Sequence, residues 1–174
     1  MPINCDNIIL WRHAEAVVAS DDTLQSDMAR ALTPKGQRQA KHMARWLKEC
    51  LPKDTLLLTS AALRAFQTAQ ALNDRATYAK INVHPALSPS ASLQEVLAFL
   101  ASLSAHKNIL LVGHQPYLGR LASQLLGLEV SDLNIKKGAI WWLRLKVNHP
   151  NLNNTNLNNS SCYEIADVQT PNLD

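Results

Sequence analysis

The sequence predicts an α/β domain with a mostly parallel central sheet and helices on both faces. Two observations carry this. Short apolar runs alternate along the chain with stretches of helical period, the pattern of a layered α/β architecture. Polar, chemistry-bearing residues follow directly on three of those runs, and in such sheets ligands sit outside the carboxyl ends of the strands.

The first run, residues 7–11, centres on Ile8, Ile9 and Leu10 and ends in Arg12-His13; it is a short buried strand. Residues 14–32 have no sustained period, and Ser20-Asp21-Asp22 reads as loop. A helix starts at Thr33-Pro34, with Thr as N-cap and Pro at the first helical position. Its apolar face is Ala40, Met43, Ala44, Leu47 and Leu51, and Pro52 ends it. Residues 55–59, around Leu56-Leu57-Leu58, form a second buried strand. Ser60 is placed to cap the next helix, whose face is Leu63, Phe66, Ala69 and Leu72.

A weaker strand lies at 81–84, and Ser92-Leu93-Gln94-Glu95 is a capping box opening a helix with Leu93, Val96, Leu97 and Leu100 inward. Residues 108–113 are another apolar strand, ending in Gly113-His114. The helix at 117–126 turns Leu118, Leu121, Ala122 and Leu125 inward, with Gly127 placed for its C-terminal cap. Residues 139–147 and 162–168 read as a C-terminal hairpin. Seven of the twelve residues from 148 to 159 are asparagine, so 148–160 is expected to be a long polar loop within it. No internal repeat appears, and 1–174 reads as a single domain.

Composition removes several function classes. The 174 residues include only five glycines, and no pair or triple has the spacing of a dinucleotide fingerprint or a P-loop. Phosphate, if bound, must be held by side chains. A net charge of +3 is too small to argue for nucleic acid, and no apolar run is long enough to span a membrane. Three scattered cysteines, Cys5, Cys50 and Cys162, suggest reduced thiols and a cytoplasmic location, with no structural zinc site. They read as small core residues rather than nucleophiles.

Arg12, His13, Arg64 and His114 all fall at strand ends of one sheet. Two guanidiniums offer forked donors that match phosphate oxygens. A neutral imidazole beside them can attack phosphorus and carry the phosphoryl group, and neighbouring cations hold that imidazole unprotonated. Fixed Arg and His donors also stabilise the charge on a transferring phosphoryl. Singly, each residue has a plainer explanation as surface charge or turn support; their coincidence at one edge makes the case.

These residues sit in ordered motifs. Leu10-Trp11-Arg12-His13-Ala14-Glu15-Ala16 resembles the Arg-His-Gly/Ala motif of the histidine phosphatase (phosphoglycerate mutase-like) superfamily. The segments from Leu32-Thr33 to Gln39-Ala40, from Ser60 through Arg64 to Thr68-Ala69, and Gly113-His114-Gln115-Pro116 are similar to its later motifs. The resemblance is closest to the small protein phosphohistidine phosphatases of the SixA type. It implies a phosphoglycerate mutase-like fold, with His13 as the phosphorylated nucleophile and Arg12, Arg64 and His114 binding phosphoryl oxygens. Ser60 and Thr68 would support the motif. No cofactor or metal is expected. The implied partner is a phosphohistidine-bearing protein, such as a histidine phosphotransfer domain, and not nucleic acid or a membrane.

Many members of the superfamily use a carboxylic general acid. Between Arg64 and Ser92 the only acidic residue is Asp74, in a segment too short for a cap domain; Glu15, Asp21 and Asp22 are the remaining candidates. An imidazole leaves more readily than an alkoxide, because it titrates near 6.5. An open site without an obvious acid therefore suits phosphohistidine. Three alternatives stay open at this level: a phosphatase for small phosphoesters, a zinc hydrolase suggested by His13-Ala14-Glu15 but lacking a P-C-x-x-C partner, and a non-catalytic phospho-binding module.

Overall fold

The computed structural model describes residues 3, 5–73, 79–103, 105–129, 132–146 and 163–171. The asparagine-rich stretch 148–160, Cys162 and Asp74 lie outside the described residues.

Six strands form one sheet in the order β3-β2-β4-β1-β5-β6. The strands are β1 (Asn7–Arg12), β2 (Leu56–Thr59), β3 (Ile81–Val83), β4 (Asn108–Gly113), β5 (Ile140–Leu145) and β6 (Tyr163–Gln169). β1 to β4 are mutually parallel, while β5 runs antiparallel to β1 and β6 antiparallel to β5. The sheet is thus mostly parallel and ends in an antiparallel pair, as the sequence predicts. The central strand β4 is buried at every position, which matches its continuous apolar run, since helices cover both faces of such a sheet.

Among the described residues there are five α-helices, α1 (Leu24–Met28), α2 (Pro34–Cys50), α3 (Leu63–Gln70), α4 (Leu93–Ser102) and α5 (Tyr117–Leu126), of which α2 to α5 pack on the sheet. Alternation along each strand divides the core in two. Ile9, Trp11, Leu57, Leu110 and Val112 face α2 and α3, through Met43, Leu47, Ala65 and Ala69. Ile8, Leu10, Leu58, Ile109 and Leu111 face α4 and α5, through Val96, Leu100, Leu118 and Leu121. The helices that follow β1 and β4 therefore lie on opposite faces. A crevice opens between the carboxyl ends of these two adjacent strands, the topological switch point of an open α/β sheet.

Local chemistry sets the boundaries. Thr33 caps α2 by accepting from the Gly36 N–H at 2.9 Å, and Ser92 and Glu95 close the predicted capping box on α4. Gly127 ends α5 in the left-handed conformation, φ 65°, which glycine adopts without steric cost.

Two expectations need correction. Ser60 does not cap α3: the chain makes one more bend, Ala62 holds the N-cap position, and the Ser60 hydroxyl instead accepts from the Ala62 N–H at 3.1 Å. Of the face read from the sequence, Ala69 and Leu72 are buried and Phe66 is half-buried, but Leu63 faces outward, and Arg64, Ala65 and Thr68 complete the buried stripe. The helix gives its small side chains to the sheet and its polar ones to the crevice. The aperiodic stretch 14–32 also contains the short helix α1, capped by Thr23. None of its side chains is buried, which is why no apolar period marks it.

Candidate active site

Sheet register delivers three chain segments side by side. Arg12 at the end of β1 pairs with Gly113 at the end of β4, and Thr59 at the end of β2 pairs with Val112. His13, Ser60 and His114 therefore leave the sheet together. The His13 N–H donates to the Gly113 carbonyl at 3.0 Å, and the His13 and His114 rings lie 5.1 Å apart between centroids, tilted by 51°. Gly113 is required by close packing: a Cβ there would run into the Tyr117 hydroxyl, which donates to the Leu87 carbonyl at 3.0 Å.

His13 is buried, and its Nδ1 lies 2.8 Å from the Ala14 carbonyl oxygen. A carbonyl only accepts, so Nδ1 carries the hydrogen and Nε2 of the neutral ring keeps its lone pair. Burial is the main force lowering the His13 pKa, to about 4; the Ala14 hydrogen bond opposes it, while Arg64, Arg12 and Arg30 add to it. His114 is lowered further still, first by burial and then by His13 and Arg64. Both rings are thus neutral at physiological pH.

Each arginine is held by its outer nitrogens. Arg12 donates from Nη1 to the Ile135 carbonyl at 2.7 Å. Arg64 donates from Nη1 to the Asp27 carbonyl at 2.6 Å and from Nη2 to the Asp27 carboxylate at 3.0 Å. The Nε atoms of both arginines and both ring nitrogens of His114 are buried without a hydrogen-bond partner. Leaving a buried donor or acceptor unsatisfied costs about 1–3 kcal/mol. Such groups gathered around one crevice suit an anion with several oxygens.

Supporting contacts fix the frame. Thr68 donates to the Arg64 carbonyl at 2.7 Å and accepts from the Ala14 N–H at 3.1 Å. One hydroxyl thereby ties the Arg64 helix to the residue after His13. From the other side, the Gly138 N–H lies 3.1 Å from both the Arg12 and His13 carbonyls, and the Arg12 N–H donates to the Ala139 carbonyl at 3.1 Å. Trp11 donates from Nε1 to the Gly138 carbonyl at 3.1 Å.

The acid candidates are otherwise engaged. Glu15 accepts from the Thr33 hydroxyl at 2.7 Å, joining the cap of α2. Asp21 is exposed, and hydrogen bonds from Thr23 hold its carboxyl below the usual range, the wrong direction for an acid. Asp22 is also exposed. The carboxylate that does reach the site is Asp27, on α1, which the sequence reading missed. It joins Arg64 to Arg30, the latter pair at 3.1 Å. Burial by itself raises the Asp27 pKa, but the hydrogen bonds and charges of these arginines outweigh it and hold the carboxyl low. The available signals were Thr23 as an N-cap and the three-residue spacing of Asp27 and Arg30, a helical contact distance.

Of the two described cysteines only Cys5 is a core residue; Cys50, read from the sequence as one too, is exposed, because it is the last residue of α2, beyond the buried stripe that ends at Leu47. Cys5 is fully buried, and burial, with a smaller contribution from Asp6, pushes its thiol up to about 11. The Cys50 thiol is also raised, by partial burial first and then by the nearby Asp167 and Glu49 carboxylates. Among the described residues, no group of three or more His, Cys, Asp or Glu side chains is arranged to hold a metal ion.

Residues 8–89 match the model of the histidine phosphatase superfamily, branch 1. An uncharacterized protein of Picosynechococcus is 35% identical over 144 residues, 79% of this chain and 84% of that protein. A phosphohistidine phosphatase SixA homolog of Haemophilus influenzae is 30% identical over 131 residues, 70% of this chain and 77% of the homolog. The structure of the protein histidine phosphatase SixA complexed with tungstate superposes with a TM-score of 0.74 at 24% identity, covering 95% of this chain and 97% of the other.

Proposed function

Because the chain belongs to the histidine phosphatase superfamily, of the SixA type, we propose that it removes phosphoryl groups from phosphohistidine on proteins through a covalent intermediate on His13. It is a hydrolase of that superfamily; the substrate and the intermediate are our reading. One observation supports it above the others: His13 keeps the Nε2 lone pair of a neutral ring amid the buried, unpartnered donors of Arg12, Arg64 and His114.

In this reading the His13 Nε2 lone pair attacks phosphorus. A new P–N bond forms as the P–N bond to the substrate imidazole breaks, and that imidazole takes up a proton from water. Arg12 and Arg64, through Nε, and His114, through whichever ring nitrogen carries its hydrogen, hold the phosphoryl oxygens, acting on the transition state as fixed donors. Water then cleaves the phospho-His13 bond and releases inorganic phosphate. An imidazole leaving group has modest need of a general acid, in keeping with Glu15 and Asp21 being engaged elsewhere. We further read residues 1–174 as one domain, the chemistry as metal-independent, and the location as cytoplasmic, from the cysteine pattern.

Incubation with a ³²P-phosphohistidine protein is expected to leave acid-labile label on the wild-type chain and none on His13→Ala, with turnover unaffected by a chelator. Retained activity in His13→Ala, or a marked preference for small phosphoesters, would overturn the reading.

A further inference from the structure

Residues 17–31 form an arm that leaves the carboxyl end of β1 and returns before α2. Its base is closed by the antiparallel bridge of Ala16 with Leu32 and by the Val17 N–H donating to the Ala31 carbonyl at 2.9 Å. Arg30 fastens it internally, donating from Nε to the Val17 carbonyl at 2.7 Å. Asp27 fastens it to the site through Arg64. The arm is held at the crevice, yet its large apolar side chains turn outward.

Val17 is 44% exposed, Val18 88% and Leu24 68%, and Leu63, next to Arg64, is 36% exposed. Four of the eight large apolar side chains exposed among the described residues thus belong to the arm or adjoin Arg64. Apolar side chains exposed in a group mark interaction surfaces more often than singly scattered ones do.

We propose that Val17, Val18, Leu24 and Leu63 form a docking rim for a folded protein that presents its phosphohistidine among apolar side chains. This rests on the phosphohistidine reading above and extends it to how the substrate is selected. The argument is one of reach and of complementarity. His13 is only 6% exposed, and a histidine side chain is short. A partner can deliver its phosphoryl group to Nε2 only by bringing the surface around its own histidine against the rim. Val17, Val18 and Leu24 lie on the arm that Asp27 ties to Arg64, and Leu63 adjoins Arg64 itself. Exposed Asp21 and Asp22 stand between Val18 and Leu24, so the apolar contacts, rather than the charge of the arm, are what a partner's apolar patch would match. A small phosphorylated molecule would enter the crevice and leave these side chains uncovered.

The test compares two substrates: a histidine phosphotransfer domain phosphorylated chemically on histidine, and phosphoramidate, which has a P–N bond and no protein surface. The variants Val18→Asp and Leu24→Asp replace exposed side chains outside the phosphate site, and an acidic residue at the start of α1 agrees with the helix dipole. Each is expected to lower kcat/KM on the phosphoprotein by about tenfold, the scale of one anchoring contact at an interface. Activity on phosphoramidate should stay within about twofold of wild type. Leu128→Asp, with a comparably exposed leucine beyond the far end of α5, should leave both unchanged. Equal losses on both substrates, or no loss on the phosphoprotein, would overturn the docking rim. Wild-type turnover of phosphoramidate without turnover of the phosphoprotein would overturn the phosphohistidine-protein reading itself, and the rim with it.

Discussion

Asp27 shows how much one side chain outside the predicted set can contribute. Its carbonyl and carboxylate take both outer nitrogens of Arg64, which leaves the Nε side of the guanidinium for phosphate. Replacing it with alanine removes the carboxylate from Nη2, while the backbone carbonyl still accepts from Nη1, so the guanidinium keeps one of its two anchors and loses its ion pair. We expect Asp27→Ala to raise KM for phosphoryl substrates about tenfold, with a smaller effect on kcat. The stability loss should be about 1–2 kcal/mol, since Asp27 is partly solvated. Asp27→Asn, which keeps an acceptor, should recover part of the KM; steady-state kinetics and denaturant titration on the two variants check this. That Arg12, His13, Arg64 and His114 meet at one sheet edge could be read from the chain because chemistry and motif coincide in them; their catalytic role is our proposal. Asp27 could not be so read, because a lone carboxylate in an aperiodic stretch carries no period and no motif.

Among the elements, α2 is tied through its first turn to the segment that follows His13. Thr33 caps it, donates its hydroxyl hydrogen to Glu15, and donates its N–H to the Glu15 carbonyl at 3.0 Å. Gly36 lies so close that a Cβ would collide with that same carbonyl. The helix start thus seats the segment that follows His13. Gly36→Ala should cost about 1–3 kcal/mol by overpacking and should lower kcat as well, because relief requires moving residues 14–15. Thermal unfolding together with activity tests this; an unchanged specific activity in the folded variant would contradict it. Both ends of α2 and α5 and the start of α4 were legible to within a residue or two, from the Thr33 and Ser92 caps, the Gly127 stop and clear apolar periods. The orientation of α3 was legible only in part: Ala69 and Leu72 are buried as expected, but Arg64, Ala65 and Thr68 share the stripe in place of Leu63, and an apolar count misses arginine and threonine. The inserted α1 escaped for the opposite reason: it buries nothing.

Over the whole molecule, two buried neutral histidines bias stability with pH. The His13 pKa in the folded chain is about 4, and His114 is lowered further, whereas both titrate near 6.5 when unfolded. Between these values the unfolded chain binds more protons, so stability rises with pH. The contribution is complete above about 6.5 and is lost as pH falls toward 4. The denaturant midpoint should therefore fall between pH 7 and 4, and His114→Asn should flatten that slope; an unchanged slope would mean that His114 is not held neutral in the folded protein. The contact of Gly138 and Ala139 with Arg12 and His13 has a different consequence, one that concerns synthesis. Trp11 reaches Gly138 across 127 positions, and Arg12 reaches Ile135 across 123. A growing chain still on the ribosome holds all four motifs once residue 116 has emerged, yet nothing then fixes its first arginine. Competence waits until residues 135–139 have emerged, so a chain halted before them carries the signature residues without the geometry that gives them use.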